Sequence, residues 1–351
     1  MVNSKCRFIV VFVAAGGCVG DTPTMSTSSP SAAELTTATA RDIWNPVDLG
    51  TDPPGLATAA YGVSRHSHIA GFSTFLNQGS QTFVQRAGAA RRYLSTLPGH
   101  VSSSPTAIND AGLISGRSHE APVSLPTPVF WDGEGRASAI PGIPNGEAFD
   151  VSETGWIVGY DISFNGVRAF RWRRGNAPVF LQGDSFTQGQ ALAVNDLGTT
   201  VGIVVGNAIS PAVWDLQGVL QRIPLPVGAR QGRATDINNL GDVVGDIDMG
   251  SGLRRAFKWS KSQGLTLLPN PTGTITAFAT EIDGRGRVFG YAMPTLRSAP
   301  IAYVWINGSP TLLPQLYPGG FVTDVNACGV AVGFATAPDG TSHVIMWLTE
   351  C

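Results

Sequence analysis

The sequence predicts an all-β fold: a seven-bladed β-propeller of four-stranded antiparallel blades, its ring closed by an N-terminal strand. Three observations predict it. A small polar residue followed in most copies by a glycine three positions on, and by a second glycine four after that, recurs at Ser64, Asn109, Ser152, Asn195, Asn238, Asp283 and Asn326, spaced by 43 or 45 residues. A tryptophan occupies one equivalent place in six copies (Trp131, Trp172, Trp214, Trp259, Trp305 and Trp347), where the first copy ends as Phe83-Val84-Gln85. The last copy stops after Trp347 without a fourth strand, and the segment Ile43 to Leu49 ahead of the first copy resembles that missing piece. Four short strands in about 43 residues are the pattern of a propeller blade. Closing the ring protects edges that an open array would expose.

The unit beginning at Arg233 shows the elements in order. Ala234 to Ile237 alternates as a strand, and Asn238-Asn-Leu-Gly241 is a turn whose glycine suits a left-handed conformation. Asp242 to Gly245 returns, Arg255 to Trp259 forms a third strand, and Gly264 to Leu268 a fourth. Each segment is short, bounded by Gly, Pro or Asn and rich in β-branched and aromatic residues, which argues against helices. Paired apolar residues in the second strand, such as Val243-Val244, fit a sheet covered on both faces. The tryptophans read as core between blades, and the second glycine as a strand end where a Cβ would clash.

Residues 1–17 read as an export signal: Lys5 and Arg7 precede a short apolar run from Phe8 to Ala15. Ala15-Gly-Gly-Cys18 is similar to a bacterial lipobox, which makes Cys18 the expected lipid attachment site; a signal cleaved without lipidation is the alternative. Residues 18–42 are dominated by Thr, Ser, Ala and Pro and read as a disordered tether. The folded head is expected over 43–351, with 43–50 as the closing strand. This predicts an exported, envelope-anchored protein, an outer-membrane lipoprotein or a secreted one, that meets the membrane only through its anchor. Cys328 and Cys351 form a disulfide candidate, worth about 3 kcal/mol by loop entropy if bonded.

Charged residues make up 14% of the chain and its formal charge is −2, so it lacks the basic face that nucleic-acid binding requires. Among the 351 residues there is no H-E-x-x-H, G-x-S-x-G, C-x-x-C or P-loop, so no catalytic residue or metal ligand is assigned.

With these units in view, the chain resembles the bacterial extracellular HAF-repeat proteins, through Arg168-Ala-Phe170 before Trp172 and Arg255-Ala-Phe257 before Trp259. The resemblance covers about residues 57–351 and implies export and a repeat fold, with no defined activity. The family's histidine is mostly replaced here.

Two sets of residues are candidate sites. Asp150, Asp236, Glu281 and Asp324 stand two positions before the turn residue, where an innermost strand would place them around the central channel. They suit either hydrogen bonds that fix blade spacing or a hard cation such as Ca2+, the one cofactor considered. Asp246-Ile-Asp248-Met-Gly250 is an incomplete calcium loop, expected to be solvated. Phe72, Tyr160, Tyr291 and Phe334 follow the second glycine and offer a ligand rim or caps on the blade core. Trp156, out of the tryptophan register, is expected to be exposed. The loops between second and third strands vary most, and variable loops on a rigid scaffold carry recognition. The reading is a binding or interaction module for a surface glycan or protein. Its alternatives are a carbohydrate-active hydrolase or lyase with its site at the channel mouth, and a purely structural envelope protein.

Overall fold

The computed structural model describes residues 43–349, apart from 53–56, 165, 182 and 184–187. The signal segment, Cys18, the tether and Cys351 lie outside the described residues. Each repeat becomes one four-stranded antiparallel sheet, and there are seven of them. In blade 5 the innermost strand is Gln231–Ile237, followed outward by Val243–Asp248, Arg254–Ser260 and Gly264–Leu267. The turns from first to second strand share one face of the ring, the turn face. The loops from second to third strand and the connections between blades share the other, the loop face.

The turn glycine Gly241 has φ 81°, and Ser67 takes the same left-handed conformation in the first copy, with φ 57°. The second glycine is required by the expected Cβ clash, but not at a strand end. It sits within the second strand, opposite a β-bulge: Gly245 pairs with Ala234, and the register then skips to Asp236. A Cβ at Gly245 would run into the Arg233 carbonyl and the Phe257 ring. The same bulge and the same obstruction by a first-strand carbonyl recur at Gly71, Gly116, Gly159, Gly202, Gly290 and Gly333.

The core lies between blades. The six tryptophans are buried, four of them at 1% exposure or less, and Val243 and Val244 are both fully covered. Trp131, Trp305 and Trp347 donate their indole N–H to the carbonyls of Ser95, Pro269 and Pro314 at the end of the preceding blade. Each ring thus buries its apolar body and satisfies its one polar group across the blade boundary.

Blade 7 is completed from the other end of the chain. Asn45–Asp48 pairs antiparallel with Ser342–Leu348, in register Asn45↔Leu348 to Asp48↔Ile345. Trp44, 4% exposed, lies edge-on to Phe289 of blade 6 and donates to the Gly329 carbonyl at 2.8 Å. Asp48 accepts from the Tyr317 hydroxyl at 2.7 Å and contacts His343 Nδ1 at 2.8 Å. Burial disfavours its charge, but these bonds and one from Gly50 N–H outweigh that and hold its carboxyl below the usual range.

The missing tryptophan of the first copy has a structural counterpart at this seam. Gln85 stands in the slot and accepts from Arg91 Nε at 3.1 Å. Arg91 Nη2 donates to the Leu49 and Gly50 carbonyls at 3.1 and 2.8 Å, and Nη1 pairs with Asp52 at 2.9 Å. A polar clasp replaces the apolar ring where the closing segment crosses into blade 1.

Cys328, in the blade 7 turn, is buried and disulfide-bonded.

Gly241→Ala is expected to cost about 1 kcal/mol through its positive φ, and Gly245→Ala about 2–3 kcal/mol through the carbonyl clash, both read by urea unfolding. Arg91→Ala, which leaves two partly buried carbonyls and Asp52 without their donor, should lower stability by about 1–2 kcal/mol in the same assay.

Candidate functional site

In blades 5 and 7 the bulge of the innermost strand turns two successive side chains toward the next blade, and in blades 2 and 3 it turns one. The bulged threonines do this with hydroxyls: Thr106 donates to Ala148 O, Thr235 to Ala279 O and Thr323 to Ala60 O, at 2.8, 2.9 and 2.8 Å. The following acids do it with carboxylates. Asp150 accepts from Val194 N–H of blade 4 at 2.8 Å, Asp236 from Ile282 N–H of blade 6 at 2.8 Å, and Asp324 from Val63 N–H of blade 1 at 2.6 Å. The other oxygen of each accepts from the next residue in its own chain, Val151, Ile237 and Val325, at 2.7 Å. Three of the four predicted channel acids are therefore latches between blades.

Glu281 has the extra methylene and a different partner, a side-chain hydrogen bond with Asp236. This pairing, with burial and the repulsion of the neighbouring carboxylates, favours the protonated form of Glu281. All four acids line a cavity of about 220 Å³ that opens on the turn face, with Tyr61, Phe149 and Leu192 deeper along the same strands and Arg65, Glu153, Asp196 and Asn239 nearer the mouth. Ring atoms enclose each carboxyl, while part of its surface faces the cavity. Burial is the main force on them, and repulsion between the carboxylates adds to it: Asp150 is pushed up to about 7, Asp324 to about 8 against the bond it accepts from Val63, and Glu281 well above the carboxylate range. Burial raises Asp236 as well, against the bonds it accepts from Ile282, Ile237 and Glu281.

At the mouth each turn holds the next. Asn109, Asn195, Asn238 and Asn326 donate their amides to the turn carbonyls of Ser152, Asn238, Asp283 and Ser64, at 3.0 to 3.2 Å. Asp283 has no amide to give, and Arg287 supplies it: Nε pairs with Asp283 at 2.6 Å and Nη2 reaches the Cys328 carbonyl at 2.9 Å. Among the described residues, no group of three or more His, Cys, Asp or Glu is arranged to hold a metal ion.

The predicted aromatic rim folds inward. Phe72 stacks on Tyr61, which meets Phe334; Phe334 meets Phe321, Phe321 meets Tyr291, and Tyr291 stacks on Phe278 at 4.6 Å. This ladder crosses blades 6, 7 and 1. Tyr160, 4% exposed, packs on Phe149 in blade 3. The ladder's other half, Tyr61, Phe278 and Phe321, was not singled out in the sequence; its signal is an aromatic within six residues before the turn.

Two expectations are corrected. Asp246 is not in a solvated loop: it is fully buried in the second strand of blade 5 between Arg233 at 2.6 Å and Arg254 at 2.9 Å. Trp156 is not exposed but half-buried, with the guanidinium groups of Arg171 and Arg173 at its ring.

The acids fix the sign of the pH response. Groups raised in the folded state contribute stability that is full below their unfolded value near 4 and is lost as pH passes 7 to 8. Asp48 and Asp52, held below the usual range, act oppositely and lose their contribution on acidification below about 4. Thermal melts should peak at mildly acidic pH and decline through pH 8. A melting temperature still rising between pH 5 and 8 would contradict the assignment.

No family model matches the chain, and no curated protein does. Solved structures do. A prolyl endopeptidase matches with TM-score 0.61 and 11% identity over 84% of this chain and 51% of its own. The acylaminoacyl peptidase of Pyrococcus horikoshii matches with TM-score 0.57 and 9% identity over 89% and 52%. The virginiamycin B lyase of Staphylococcus aureus matches with TM-score 0.56 and 12% identity over 88% and 99%. The chain spans about half the length of the two peptidases and nearly all of the lyase. At these identities the shared feature is the propeller.

Proposed function

We propose that the protein is an exported, envelope-anchored β-propeller that acts as an interaction module, engaging a protein partner through its loop face. One observation carries this reading: apolar side chains project from the loop face. Val123 and Phe164 are 97% and 95% exposed at the tips of second-to-third strand loops, and Val227, in a blade connection, is fully exposed. Leu76, Ile275 and Leu296 add to the same face, and the turn face has fewer, led by Leu197 and Leu240. The loops differ in length, from two residues in blade 3 to seven in blades 2 and 6. Exposed apolar groups grouped on one surface mark interaction sites.

The closing strand begins beside Leu348 and the Gly329 turn, on the turn face, so it takes up none of the loop face. The hydrolase reading draws less support, because Asp150, Asp236 and Asp324 each spend both carboxylate oxygens on backbone N–H groups. Protruding tips also fit a purely structural role poorly.

The test uses the whole chain carrying Cys18→Ala, titrated against immobilised envelope fractions. Saturable binding is expected to vanish after protease treatment, to survive periodate, and to weaken roughly tenfold in Phe164→Ser with Val123→Ser. Binding abolished by periodate alone would assign a glycan instead. Binding indifferent to both substitutions would remove the loop face from the proposal.

A further inference from the structure

Between blades 1 and 2 the turn face opens a groove of about 390 Å³. Val84, Ile108 and Ile114 give it an apolar floor. Its blade 2 wall is built from Ala111, Gly112 and Gly133. Ala111 and Gly133 stand where blade 4 carries Leu197 and Leu216, so the space exists because this blade has small residues at positions that another fills.

Two arginines line the groove, Arg86 and Arg92. They belong to one face of blade 1, since Arg92 pairs with Val84 and Arg86 follows Val84 by two. Arg86 Nε donates to the Nε2 of His68, which must accept and is therefore uncharged, and Arg92 Nη1 donates to the Glu134 carbonyl at 3.1 Å. Neither guanidinium has a carboxylate partner among the described residues. Asp110 and Asp132 also line the groove, and both carboxylates are engaged by other donors: Asp110 with Arg65, and Asp132 with the N–H groups of Glu134 and Arg136; Glu134 pairs with Arg136. Open guanidinium edges over an apolar floor match an oxyanion carried on a small hydrocarbon body, because guanidinium forks pair with carboxylates in two parallel hydrogen bonds.

We infer that this groove binds a compact organic carboxylate, its anionic head between Arg86 and Arg92 and its apolar body on Val84, Ile108 and Ile114. The same chemistry is offered by a free small acid and by the C-terminus of a peptide chain ending in an aliphatic residue.

The experiment titrates the whole chain, by calorimetry and by NMR, with N-acetylleucine, its uncharged amide, and a short peptide ending in leucine with a free carboxylate. The acid is expected to bind at least roughly tenfold more tightly than the amide. Arg86→Ala should weaken it about tenfold, and so should Ala111→Leu, which fills the groove and keeps every charge. Both positions are exposed, so melting temperatures should be unchanged. Peptide binding as tight as the free acid's points to a chain terminus, and weaker peptide binding to a small metabolite; either supports the carboxylate site. Equal affinity for acid and amide, indifference to Ala111→Leu, or no saturable binding at millimolar acid overturns it.

Discussion

Everything in the ring depends on the absence of one Cβ. The second glycine of each repeat leaves room for a carbonyl of the innermost strand, and that approach permits the bulge in which the strand takes in an extra residue. Bulges re-aim side chains, and here they do so toward the neighbouring blade. The threonine hydroxyls and the aspartate latches that join blade to blade are what the bulge delivers. A glycine in one strand thus governs hydrogen bonds between two different sheets.

The central acids gain a plain physical account on this basis. The charged forms of the three aspartates are favoured by two backbone N–H groups each, and opposed by burial and by the neighbouring carboxylates. The contest ends near neutrality for Asp150 and Asp324, while Glu281, for which no backbone donor acts, is raised well above the carboxylate range. Wall-building and proton-holding are performed by the same groups. The polar character of the cavity therefore follows from ring construction.

What repeats was legible in the sequence and what occurs once was not. The glycine and asparagine period gave the seven blades, the tryptophans gave the interblade core, and the unmatched Ile43 to Leu49 gave the closing strand. The acids were placed at the channel by position alone. Their partners were not readable, because a latch from Asp324 to Val63 spans the whole chain and leaves no local pattern. Arg91, Asp52 and Asp48 belong to the single seam where the ring is joined, so no second copy exposes them. Asp246 looked like a loop acid because its partners, Arg233 and Arg254, come from the two flanking strands. The absent tryptophan at Gln85 was visible as an exception, and its reason, a guanidinium holding the closing segment by its carbonyls, appears only when the ends meet.

The closing strand also defines a mechanical path. It enters at the turn face and lies antiparallel along the last strand, so a pull on the chain ahead of Trp44 acts along the strand axis. All of its rungs to residues 345–348 are then loaded together rather than one at a time. Trp44 beside Phe289 stands ahead of these rungs, Asp48 on Tyr317 and His343 is the last of them, and Arg91 on the Leu49 and Gly50 carbonyls lies behind. A force on the chain at that point would meet the ring seam in shear, where the rungs yield only together, and not in the peeling geometry that opens a strand one bond at a time.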